Sequence, residues 1–335
     1  VLLIGLPGPE LGGEEREWLA QPEVSGVILF SRNVRDRDQL RGLNAAIREA
    51  AGRPVLIAVD QEGGPVQRLR GEGFTDLPPL AAIGALHRRD PASARLAARL
   101  HARVMAHEVR AAGFDLSLAP VADLGRGNRA IGTRAFSPDP VVTAELVACY
   151  VEGMAEAGMA ATLKHFPGHG SVPEDTHDEL ACDPRPRSDW EEGDWLPFRA
   201  GIAAGARAVM MAHVVCPAWG ERPAGAEPAI IGLLRAALGF SGLVMSDDLA
   251  MRGAAVLGGL RQRIDAHLEA GCELLLVCRP EDVGEAIALL RGHPPLPAER
   301  LPILRHGAGA SAWDEHEHRA SRVMLARLLN GEPLP

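Results

Sequence analysis

Four apolar runs of this chain end in residues able to move protons or hold charge. Pro54–Asp60 leads into Val-Asp-Gln-Glu-Gly-Gly with Asp60 at its edge, and Met159–His165 closes on Lys164 and His165. Ala206–His213 closes on an imidazole, and the run from Gly242 ends in Ser246-Asp247-Asp248. A charge buried at a strand end is costly unless a partner or ligand compensates it. Four such ends among eight runs therefore point to one site, and the residue types are those of proton transfer and nucleophilic attack. After Lys164 the chain reads Lys-His-Phe-Pro-Gly-His-Gly-Ser-Val-Pro-Glu-Asp-Thr-His-Asp-Glu, a shaped loop and not a helix. Asp175 and His177 lie two apart, so in an extended backbone both side chains face one way and can hydrogen-bond. A carboxylate there fixes the imidazole's tautomer and favours its protonated form, as a general acid requires. Read locally, the same segment is first a solvated acidic loop over Glu174–Glu179, with His177 one polar residue among several. Of the two aspartates in Ser-Asp-Asp, Asp247 is the better placed to face a strand-end pocket. Asp248 suits a cap on the following segment, and capping alone accounts for either.

Other chemistries have weaker signals. His165, His169, His177 and His213 could join aspartates around zinc, but the His165–His169 spacing falls in a Pro-Gly turn and not on a helix. Gly63-Gly64 is no phosphate loop, since neither G-x-G-x-x-G after a strand nor a Walker sequence is present. The G-x-S-x-G elbow of serine hydrolases is missing as well.

Eight elements must position these residues. The apolar runs are Val1–Gly5, Gly26–Phe30, Pro54–Asp60, Phe114–Ala119, Met159–His165, Ala206–His213, Gly242–Asp247 and Cys272–Cys278. Each is continuous and not alternating, as in strands covered on both faces. Helices are expected over 36–51, 91–112, 140–157, 189–204, 227–238, 259–270 and 281–291, with Asp90-Pro91 and Ser137-Pro138 as start signals. Glycines 113, 158, 205, 239 and 271 precede strands, where a left-handed cap favours glycine. Strand–helix alternation implies parallel strands and right-handed crossovers. The fold class is therefore α/β, and eight units fit a closed (β/α)8 barrel. A doubly wound open sheet is the alternative that counting strands does not exclude. The whole of 1–335 reads as one catalytic domain, with 294–335 as a C-terminal tail on the barrel and a last helix near Trp313–Leu329.

Composition narrows the function. The 335 residues carry 35 Lys and Arg against 44 Asp and Glu, a net charge of −9, so general binding to nucleic acid is not expected. No apolar run reaches the ~18–20 residues of a spanning helix, and no membrane association is expected. Five cysteines, an odd number without a C-x-x-C pair, suit a reducing compartment and a cytoplasmic location. No charged segment with a cleavage site is visible, although a first residue of Val1 leaves a removed leader open.

Taken together the motifs resemble one family, the bacterial β-N-acetylglucosaminidases of glycoside hydrolase family 3, the single-domain enzymes of cell-wall recycling. The resemblance runs from Gly26–Asn33 to Ala270–Cys278, about three-quarters of the chain. It is carried by Val59–Gly64, Leu118–Asp123, Ile131–Arg134, Lys164–Gly170, Asp175–His177 and Ser246–Asp248 in the family's order. The long K-H-F-P-G-H-G…D-x-H element is the specific part. The resemblance implies Asp247 as the nucleophile, His177 as the general acid/base and Asp175 as its dyad partner. It implies Asp60, Arg68, Arg134, Lys164 and His165 around an N-acetylglucosamine ring, with no metal and no organic cofactor. The partner is then a small carbohydrate, a muropeptide, and the enzyme is expected as a monomer. Pro65 departs from the family's usual arginine at that place, which removes a cation and a backbone donor near Arg68. Two rivals stand beside this reading: a phosphorylase that uses phosphate in place of water, and a non-catalytic carbohydrate-binding barrel.

Overall fold

The computed structural model describes residues 1–297, 299–304 and 315–332. All eight apolar runs form parallel strands: β1 Leu2–Gly5, β2 Val24–Leu29, β3 Leu56–Val59, β4 Leu116–Ser117, β5 Thr162–Phe166, β6 Ala208–Met211, β7 Leu243–Asp248 and β8 Leu274–Val277. Their order is consecutive, with β1 pairing both β2 and β8. The ring is completed between β4 and β5. There the chain just beyond β4 pairs with β5 through a parallel bridge from Val121 to Lys164, supported by Ala122 N donating to Lys164 O at 2.7 Å. The fold is thus the (β/α)8 barrel, and the open-sheet alternative falls.

Continuity of the apolar runs follows from two separate cores. One set of side chains, including Leu3, Ile28, Leu56, Ala58, Leu116, Met210, Met245 and Leu274, fills the barrel interior. Their chain neighbours Leu2, Ile4, Val27, Ile57, Val59 and Leu275 face the helices. Successive side chains point to opposite sides of a strand, so a strand buried on both sides has no polar alternate. Leu296, Leu301 and Leu304 of the C-terminal segment join the interior set, and Pro295–Pro297 lie against Val24 and Pro54, where β2 and β3 begin. The helix Glu315–Asn330 buries Leu325 and Leu328 and packs on Pro91–Ala111. Of the expected tail, positions 298, 305–314 and 333–335, Trp313 among them, lie outside the described residues.

Aspartate caps explain three helix starts. Asp36 accepts from Gln39 N at 2.8 Å and Asp90 from Ser93 N at 3.1 Å, each holding an otherwise unpaired first-turn donor. One expected start moves: the helix over Pro140–Glu156 is capped by Asp139, with Val141 N at 2.8 Å, and not by Ser137-Pro138. The helix expected over 189–204 is regular only in Trp195–Ala203, after a single wide turn at Trp190–Asp194. Two short helices, Gly13–Ala20 and Leu80–His87, were not foreseen. Eight residues span too few turns to print a 3.6-residue period. Gly84 lets the second pack closely, since an alanine Cβ there would stand 1.7 Å from Phe136 O. At the other helix ends Gly271, with φ +109°, supplies the left-handed turn into β8.

Candidate active site

Parallel strands deliver their carboxyl ends to one face of a barrel, and the polar run ends meet there. A pocket of about 250 Å³ has apolar walls from Ile28, Leu118, Met210, Leu276 and Cys278, all members of the interior core. Over them stand Asp60, Arg68, Arg134, Lys164, His165, His177 and Asp247. Seven of the eight residues singled out from the sequence therefore line one pocket; the eighth, Asp175, lies behind His177. The space suits a compact ligand, below the range of drug-sized sites.

One wall is a buried ionic lattice. Lys164, on β5, reaches Asp60 at 2.8 Å and Glu62 at 2.6 Å. Arg134 clamps Glu62 with two bonds of 2.8 and 2.9 Å, the fork geometry that suits a carboxylate. Arg68 lies 3.7 Å from Asp60 and over the Phe30 ring. Glu62 is 1% exposed, and burial alone would raise its carboxyl. Arg134 and Lys164 overcome that and hold it well below the usual carboxylate range. Burial likewise opposes the charge on Lys164, but Asp60 and Glu62 raise it above the ordinary lysine value. Two carboxylates facing three cations leave the wall charged and rich in both donors and acceptors, the equipment for gripping hydroxyl groups.

Glu62→Gln is expected to destabilise the fold by about 3–5 kcal/mol, because two buried cations lose their shared counter-charge. Urea titration checks this. The contribution of Glu62 is complete above its unfolded value, ~4.3. It drains as pH falls toward the depressed folded value, so the stability gap between wild type and variant must narrow in acid.

The K-H-F-P-G-H-G segment is held by Asp123, just beyond β4. Its carboxylate accepts from His165 Nδ1 at 2.7 Å, His165 N at 3.1 Å and His169 N at 2.6 Å. Burial raises this group, but His165 brings it below the ordinary value. His165 and His169 thus share a carboxylate, their rings edge to face at 6.0 Å. Among the described residues no group of three or more His, Cys, Asp or Glu is arranged to hold a metal ion. Gly170 completes the anchor, since an alanine Cβ there would stand 1.7 Å from Leu124 O.

Asp247 and His177 face the pocket from different elements. Asp247, on β7, accepts from Asp248 N at 2.8 Å. Burial pushes its carboxyl up, yet His165 and the Asp248 N–H outweigh that and hold it below the usual value, so the group is ionised. Its neighbour Asp248 is raised by burial and accepts from Ala250 N and Cys278 N, both at 3.1 Å, the capping role expected for the second aspartate. His213, buried, lies 3.0 Å from Asp248 O through Nε2, and burial lowers it, so it is neutral there. His177 is paired to Asp175 through Nδ1 at 2.7 Å, and its side chain is 59% exposed. The pairing was foreseen but its route differs. The backbone is a turn and not extended: Asp175 also accepts from His177 N at 2.9 Å, and Asp178 N bonds Asp175 O at 3.0 Å. The loop rests on the turn after β7, with Gly253 N on Thr176 O at 2.9 Å and Arg252 N on His177 O at 3.4 Å. That contact brings imidazole and carboxylate to one cavity.

Glu62 and Asp123 are the functional residues that sequence reasoning passed over. Each belonged to a recognised motif, and Glu62 is two residues from Asp60, the spacing that turns both toward the same side. Pro65, the departure from the family pattern, is exposed between the paired segments Gln61–Gly63 and Val66–Gln67, while Arg68 still reaches the pocket.

The model of the glycosyl hydrolase family 3 N terminal domain matches residues 5–292. The chain belongs to glycosyl hydrolase family 3. A beta-hexosaminidase of Stenotrophomonas maltophilia is 56% identical over 315 residues, covering 94% of this chain and 93% of its own. One from Xanthomonas euvesicatoria is 54% identical over the same share. Native NagZ of Neisseria gonorrhoeae superposes with a TM-score of 0.89 at 37% identity, over 98% of this chain and 97% of that one. The same protein has been solved with N-trifluoroacetyl-D-glucosamine, at a TM-score of 0.89 and 36% identity over 98% and 97% of the two chains. The enzyme class expected from the motifs, a β-N-acetylhexosaminidase, agrees with these relatives.

Proposed function

We propose that this family 3 enzyme is a retaining exo-β-N-acetylglucosaminidase that removes the terminal non-reducing sugar from peptidoglycan fragments, acting as a cytoplasmic monomer with one catalytic barrel and a C-terminal tail. The single observation behind the chemistry is an ionised Asp247 sharing a small pocket with a half-exposed, carboxylate-paired His177. The substrate follows from the relatives: beta-hexosaminidases, and a structural neighbour that binds an N-acylated glucosamine. No described helix is long and apolar enough to cross a membrane.

Retaining glycosidases usually employ two carboxylates, one attacking the anomeric carbon and one moving protons. Here the second role falls to an imidazole. In the first step Asp247 attacks the anomeric carbon while His177 gives its proton to the leaving oxygen. Asp175 steadies the imidazolium and fixes the ring through Nδ1, leaving Nε2 for the transfer. In the second step neutral His177 takes a proton from water as that water displaces Asp247. Asp60, Lys164, Arg134, Arg68 and His165 hold the ring, and the Glu62 lattice keeps the cations in place.

Two measurements test this reading. Proton NMR of the first-formed sugar should show the β anomer before mutarotation, and the α anomer would refute retention. Added inorganic phosphate should leave free sugar as the main product, whereas sugar-1-phosphate as the main product would favour the phosphorylase. Because Asp247 must be ionised, the acid limb of kcat/KM should fall below ~3.9, the ordinary aspartate value. His165→Gln keeps a donor toward Asp123 but removes the imidazole that favours ionised Asp247, so the limb should move to higher pH. An unmoved limb would contradict the electrostatic account.

A further inference from the structure

The leaving group has to lie beyond His177, and a second depression opens there. It has a volume of about 540 Å³ and is lined by Arg252, Arg263, Arg279, Asp178, Glu179 and Leu180, with two small residues. Three of its members are chain neighbours of pocket residues: Asp178 follows His177, Arg252 follows Met251, and Arg279 follows Cys278. The two spaces therefore share one wall, and the Arg252 N bond to His177 O runs through it.

We infer that this depression binds carboxylates on the leaving group of the substrate, so that Arg252 and Arg279 select anionic aglycones. The inference rests on the hexosaminidase reading of the pocket and names what occupies the far side of the scissile bond. Charge supports it. Glu179 is committed to Arg129, which leaves three guanidiniums against Asp178. Among the described residues none of the three is in an ion pair; Arg263 donates instead to Gly258 O and Leu249 O, both at 2.8 Å, which fixes its plane. Arg252 and Arg279 are exposed and available to a ligand. Guanidinium presents paired donors that match a carboxylate. Leu180, 44% exposed, adds an apolar contact for the carbon skeleton. A chain of net charge −9 repels an anionic substrate at long range, so capture depends on a local cationic surface of this kind.

The test uses three substrates: a disaccharide of N-acetylglucosamine β-linked to N-acetylmuramic acid bearing a short peptide, the same compound with its carboxyls amidated, and a neutral aryl N-acetyl-β-glucosaminide. Arg252→Gln with Arg279→Gln keeps the backbone N–H that holds the loop. The double variant should lose about tenfold in kcat/KM on the carboxylate form, the scale of two exposed ion pairs. It should match wild type on the amidated and aryl substrates, and added salt should erase the wild-type preference for the charged form. Equal turnover of charged and amidated forms by wild type overturns the inference, as does an equal loss on all three substrates. Failure of wild type to cleave the aryl glycoside would instead overturn the hexosaminidase reading itself.

Discussion

Asp247→Ala is expected to lower kcat on every β-N-acetylglucosaminide by on the order of 10⁴-fold or more, the scale seen when a nucleophile is removed from a concerted site. The loss must be independent of the leaving group. A carboxylate that forms the bond to the anomeric carbon is needed whether the departing oxygen is acidic or basic. The electrostatics of the pocket are arranged for this one group: burial would protonate it, and His165 and the Asp248 N–H prevent that. Asp248 is unable to substitute, because burial raises it and backbone donors from Ala250 and Cys278 occupy it. Azide occupies the space freed by the variant and attacks from the face opposite the leaving group, so rescue should yield the α-glycosyl azide. A variant retaining a tenth of wild-type activity would remove Asp247 from the reaction coordinate.

His177→Ala has the opposite dependence. General acid catalysis is worth about 10²–10⁴-fold, and it matters only where the leaving oxygen needs a proton. With a dinitrophenyl leaving group the first step should run near the wild-type rate and the glycosyl-enzyme should accumulate as a burst. With a sugar leaving group the loss should reach the top of that range. Azide now intercepts the intermediate and needs no base, so rescue should give the β-glycosyl azide. The two variants thus yield opposite anomers. The basic limb of the pH profile should also disappear, since no group then deprotonates to end acid catalysis. A uniform loss across leaving groups would assign His177 a positioning role in place of proton transfer.

The barrel was legible because each strand has to satisfy two cores at once. Leu2 and Leu3 are adjacent and both fully buried, one against helices and one inside the barrel. That removes polar alternates and leaves a run visible against polar helices. Closure was not legible, because it depends on Val121 meeting Lys164 across 43 residues of sequence, a matter of register with no local signal. In the site, Asp60, Lys164, His165 and Asp247 declare themselves as charges ending apolar runs. Glu62 and Asp123 do not, because they lie three and six residues past the ends of their strands, in segments rich in other polar or small residues. Their importance lies in which side chains they pair with. The Asp175–His177 pair was visible from spacing, but the sequence could not distinguish an extended segment from the turn that forms, since both allow a two-residue contact. The arginines beside the loop come from three segments, and only the folded chain brings them to one surface.

The most direct test of the account is the identity of the atom that holds the sugar between the two steps. A 5-fluoro-N-acetylglucosaminyl fluoride slows both steps while its leaving group keeps the first the faster, so the intermediate persists. Mass spectrometry of the peptic digest should then find one added sugar, on Asp247 in the Leu243–Asp248 strand, and no label in the Asp247→Ala protein. A trapped sugar on any other residue, or turnover through an oxazoline formed by the substrate's own acetamido oxygen with no covalent label, would contradict it.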